Sequence, residues 1–119
     1  HITLIFGDGS VGAISYLSNG DRALPKERLE VFCGGQVAIL DDFRTLETIT
    51  HGKRHVWRSR LKQDKGHKAE WEAFTDAILK GGSPPIPYTH LISVMTASFA
   101  AVESLRSHQT VPVEILSMD

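Results

Sequence analysis

Cations crowd one short stretch of the chain. Seven of the thirteen lysines and arginines (Lys53, Arg54, Arg58, Arg60, Lys62, Lys65 and Lys68) fall within sixteen residues that hold a single acid, Asp64. Read as a strand, residues 54–62 place Arg54, Val56, Arg58, Arg60 and Lys62 on one side and His55, Trp57, Ser59 and Leu61 on the other. Arg54, Arg58, Arg60 and Lys62 are therefore a candidate anion patch, of a kind that could hold phosphates or a nucleic-acid backbone. Against this, Trp57 is the one aromatic of the segment, it alternates to the other side, and no RNA-binding signature surrounds it. A solvated or partner-facing strand guarded by charge is the favoured reading.

Other chemistry is thinner. His51 and His55 have a three-residue spacer, but it crosses a turn, and no CxxC, HExxH or carboxylate cluster accompanies them, so no metal site is assigned. Cys33 stands alone beside Gly34 and reads as a small buried hydrophobe. Asp41 and Asp42 are adjacent and point apart on a continuing strand, which does not make an acid/base pair. The charged loop 19–27, with Arg22 and Lys26, is longer than a hairpin needs and is a candidate substrate or interface loop.

The elements that must position these residues are strands first and helices last. Residues 2–6 and 11–18 read as a hairpin across Gly7, Asp8, Gly9 and Ser10. Strands follow at 28–33, 36–40, 44–50 and 54–61, separated by Gly34–Gly35, Asp41–Phe43 and His51–Lys53. At Lys65 the period changes from two to 3.6. Trp71, Phe74 and Ile78 recur at helical spacing over 66–80, an apolar stripe expected to cover a core. Gly81 and Gly82 stop this helix, and prolines 84, 85 and 87 keep it from resuming. Thr89 is placed to cap a second helix running to Ser107, and Val111–Val113 reads as a short edge strand or extended tail. The expected fold class is α+β: a mostly antiparallel open sheet of about six strands with two C-terminal helices covering one face. The early strands carry apolar groups on both sides, so the uncovered face, with Ile14 and Tyr16 alternating against Ala13 and Leu17, is the expected oligomer face of a homodimer.

At 119 residues the chain fits one domain, 1–119, and is too short for a two-domain oxidoreductase. No apolar run approaches a membrane span, and a net charge of -1 argues against a dedicated nucleic-acid binder. With one cysteine there is no internal disulfide, which favours a reducing, cytoplasmic setting. The first residue is His1 and strand-like text begins at once, so the chain reads as a piece of something longer.

The order of motifs resembles a known family. FGDGSVGAISY (6–16), ERLEVFCGGQVAILDD (27–42), GHKAEWEAFTDAILKGG (66–82) and ASFAAVESLRSHQTVPVE (97–114) are similar to the C-terminal α/β domain of the glucose-fructose oxidoreductase / inositol dehydrogenase / MocA family. Within it, they resemble sugar or polysaccharide-biosynthesis dehydrogenases. The resemblance implies a parent with an N-terminal Rossmann domain holding NAD or NADP, absent from this chain, and hydride transfer at a sugar or cyclitol hydroxyl. It carries over no catalytic, cofactor-binding or metal-binding residue. The expectation is a substrate-binding and oligomerisation domain that binds no cofactor and is inactive alone. Two alternatives stand beside it: an independent assembly or binding module using an open sheet, and an anion or nucleic-acid binder through residues 53–68.

Overall fold

A computed structural model describes residues 1–59 and 63–114. The fold is α+β, with six antiparallel strands and two helices in the order β1 (Ile2–Ile5), β2 (Val11–Ile14), β3 (Arg28–Cys33), β4 (Gln36–Asp41), β5 (Thr45–Thr50), β6 (Lys53–Arg58), α1 (His67–Leu79) and α2 (Tyr88–Ser107). The strands form two open sheets, β1-β2 and β3-β4-β5-β6, instead of one. The chain divides into two compact units, His1–Tyr16 with the segment from Ala69 onward, and Leu17–Lys68.

In the first unit the hairpin register pairs Ile2 with Ile14 and Ile5 with Val11. Ile2, Leu4 and Ile14 thus share one face, and Ile5 and Val11 the other. Asp8 closes the turn by accepting the Ser10 amide and hydroxyl at 2.9 and 2.7 Å. These two bonds hold the Asp8 carboxyl below its ordinary range. The strands are shorter than the sequence suggests, and Tyr16 lies beyond β2.

Helix α1 ends in a Schellman motif, with Gly82 N–H donating to Ala77 O at 2.9 Å, Gly81 N–H to Ile78 O at 3.2 Å, and Gly81 at φ 61. Helix α2 begins two residues earlier than Thr89 would allow as a cap. Pro87 takes the N-cap position, without a side-chain bond. Its fixed φ suits the turn into the helix, and its carbonyl accepts the His90 and Leu91 amides at 3.0 and 3.3 Å. At the other end His108, at φ 57, donates its N–H to Ser104 O. Residues 111–114 form no strand.

In the second unit β3 to β6 make a meander with β3 and β6 outermost. Gly34–Gly35 and His51–Gly52 supply the paired positive φ values that two-residue hairpin turns require. The β4–β5 turn has no glycine, yet Asp42 and Phe43 sit at φ 50 and 52. Arg44 N–H donates to Asp41 O at 2.9 Å across this turn, and the ladder resumes with Asp41 opposite Thr45.

Candidate interaction surface

The register sorts the four-stranded sheet into two chemically different faces. Leu29, Leu40, Leu46 and Trp57 lie in one cross-strand row, and Val31, Ala38, Thr48 and His55 in another on the same face. His55 stacks beside Trp57 with ring centroids 6.1 Å apart. A shallow depression of about 420 Å³ on this sheet is lined by Val31, Cys33, Ala38 and Thr48 among others. Cys33 is exposed, not buried as its type suggests, because β3 is an outer strand with nothing over its end.

The opposite face carries Arg28, Glu30, Asp41, Glu47, Arg54 and Arg58 among Phe32, Val37, Ile39, Ile49 and Val56. Its cations meet acids. Arg54 binds Glu47 at 2.6 Å and Arg28 binds Glu30 at 2.6 Å. The candidate anion patch is described for Arg54 and Arg58 alone, since Arg60 and Lys62 lie outside the described residues. Alternation of Arg54, Val56 and Arg58 against His55 and Trp57 follows the sequence reading, but the interleaved carboxylates make this face an acid–base lattice and not a one-sign field. His51 sits in the turn and His55 on the apolar face. Among the described residues no group of three or more His, Cys, Asp or Glu side chains could hold a metal ion.

Of the loop residues, Arg22 and Lys26 are exposed. Asp21 organises the loop before Pro25, accepting the Ala23 amide through Oδ1 at 2.8 Å and the Leu24 amide through its carbonyl at 3.2 Å. Ile14 and Tyr16 are also exposed, and Ile14 shares its hairpin face with Ile2.

The second cluster was not legible in sequence. Glu27 gives its carbonyl to the Asp42 amide at 2.7 Å and its carboxylate to Lys65 Nζ. Gln63 Nε2 donates to both Asp42 O and Asp42 Oδ1 at 2.9 Å. Arg44 Nε meets Asp42 Oδ2 at 3.1 Å, and Lys65 Nζ stands 5.9 Å from the centroid of the Phe43 ring. The Lys65 ammonium holds the Glu27 carboxyl below its ordinary range, against a smaller opposing effect of lost hydration. These bonds tie the segments before β3 and after β6 to the β4–β5 turn.

What dominates the molecule is uncovered apolar surface. No described residue is buried. The α1 stripe expected to cover a core is open, with Trp71 67%, Phe74 50% and Ile78 64% exposed. On α2, Tyr88, Leu91, Met95, Phe99 and Val102 form a second exposed stripe. The helix patterns thus mark for burial faces that are exposed among the described residues. No family model matches the chain, and no curated protein or solved structure matches it either. Among the described residues no helix is long and apolar enough to cross a membrane.

Proposed function

We propose that the chain is the substrate-side and assembly domain of an NAD(P)-dependent oxidoreductase acting on a sugar or cyclitol hydroxyl, inactive in isolation. The observation that carries the assembly part is that, among the described residues, the patterned apolar faces are exposed. Such faces on a folded chain mark surfaces made to be covered. The oxidoreductase part rests on the order and spacing of the four motifs that resemble the C-terminal domain of that family. The nicotinamide cofactor and the hydride-transfer residues belong, on this reading, to a preceding Rossmann domain.

The partner we assign to the apolar face of the four-stranded sheet is a second copy. The face is mostly apolar, with Lys53 and His55 on one outer strand, and an isologous contact would set the same apolar rows of two copies against each other. Six residues by four strands give a footprint of roughly 20 by 15 Å, smaller than the ~800 Å² per partner of a standard interface. A dimer on this face alone is accordingly expected at micromolar concentration. Sedimentation equilibrium between about 1 and 100 μM should show a shift from the chain mass to twice that mass. Replacing Trp57 by Glu should abolish the shift by placing an unpaired charge in the contact. A chain that stays monomeric throughout would remove the second copy as the covering partner.

Calorimetry supplies the check on the enzyme class. With no strand–glycine loop–helix to receive a pyrophosphate, titration with NAD(H) or NADP(H) should show no heat of binding. Micromolar affinity for either would overturn the division of labour proposed here.

A further inference from the structure

The β4–β5 turn holds the most unfavourable backbone in the second unit. Asp tolerates the left-handed region moderately well, but a bulky aromatic such as Phe43 does so at a cost, and Phe43 follows Asp42 there directly. Within the turn Arg44 N–H donates to Asp41 O at 2.9 Å and Arg44 Nε meets Asp42 Oδ2 at 3.1 Å. Further supports come from far along the chain: Glu27 from the segment preceding β3, and Gln63 and Lys65 from the segment following β6. Although β3 and β6 are opposite outer strands, these two segments meet at the turn that lies between them at the same end of the sheet, where Lys65 Nζ also binds the Glu27 carboxylate directly. Ser59 N–H closes the path from the β6 side by donating to Arg44 O at 2.8 Å. Asp64 Oδ1 then takes the Gly66 amide at 2.9 Å and fixes the bend at Gly66, φ 79.

We infer that Glu27, Asp42, Phe43, Gln63 and Lys65 form a conformational latch: a strained turn kept in place only while both ends of the Leu17–Lys68 unit are docked on it. Closed, the latch fixes the two segments by which the chain enters and leaves the meander. Open, the turn relaxes out of the left-handed region and both segments are released together, while the strand ladder persists. Strained residues survive only where their surroundings over-determine them, and here the surroundings are side-chain contacts and a few backbone bonds, not a packed interior.

The test is amide hydrogen exchange on the full chain, read at Asp42, Arg44 and Ser59 and compared with ladder amides between Val37 and Ile49. Lys65→Met should speed exchange at the three latch amides about tenfold while the ladder amides stay within about twofold. Gln63→Leu should act in the same direction. Adding Phe43→Gly to Lys65→Met removes the strain and should return the latch amides to within about twofold of the parent chain. Unchanged latch amides in Lys65→Met, or equal acceleration throughout the ladder, would overturn the latch. So would failure of Phe43→Gly to restore protection, because the turn would then be held by contacts and not against strain.

Discussion

Glu27 acts twice, through its carbonyl on Asp42 and its carboxylate on Lys65, and only the second role titrates. Its carboxyl is held below the ordinary value of 4.5, chiefly by the bond from Lys65, with Lys26 adding a smaller effect in the same direction. A depressed carboxyl contributes stability that is fully present above pH 4.5 and is lost as pH falls through the folded-state value. Exchange at Asp42 and Arg44, corrected for intrinsic rate, should therefore rise as pH drops below 4.5, and Glu27→Gln should show no such rise. Nothing in the sequence announces this pair. Glu27 and Lys65 are separated by 38 positions, and the lysine reads naturally as one more member of a basic run. Nor does the text DDF advertise a turn, because the positive φ of Phe43 is imposed from outside and not by the residue itself. The one local clue is Asp42, a residue type that tolerates that region.

Among the elements, those bounded by glycine were the most legible. Gly34, Gly35 and Gly81 fall where the backbone needs left-handed residues, and β3 has the limits the sequence suggests. Gly81→Ala should cost about 1 kcal/mol in urea unfolding, since it places a Cβ at φ 61 and disturbs the end of α1. Sequence reasoning misplaced the start of α2 because Thr89 is a good capping type, while Pro87 reaches the position first. It also took the Trp71–Phe74–Ile78 stripe for a covered face. Periodicity records which side of a helix is meant for burial; it does not say whether the covering group lies within the same chain. The ion pair of Lys80 with Asp76 at 2.6 Å, exposed and one turn apart, should be worth only ~0.3–0.5 kcal/mol.

At the scale of the molecule, the two tryptophans report on different surfaces, Trp57 on the sheet and Trp71 on α1. In a Trp71→Phe variant the remaining emission should move to shorter wavelength as concentration rises through the micromolar range, because the proposed association on the apolar sheet face would take Trp57 out of water. An unchanged spectrum accompanying a doubled mass would place the contact elsewhere. The sheet order has one more consequence. Both outer strands present open hydrogen-bonding margins, but they are defended unequally: β6 bears Lys53, Arg54 and Arg58, whereas the Val31–Phe32–Cys33 end of β3 bears no charge. Charges discourage a foreign strand from adding itself, and their absence invites one. The meander thus has a polarity of growth, able to template further strands along β3 and closed to them along β6. Phe32→Lys should lengthen the lag before fibril formation in agitated solution, and the same charge added to β6 should leave that lag unaltered.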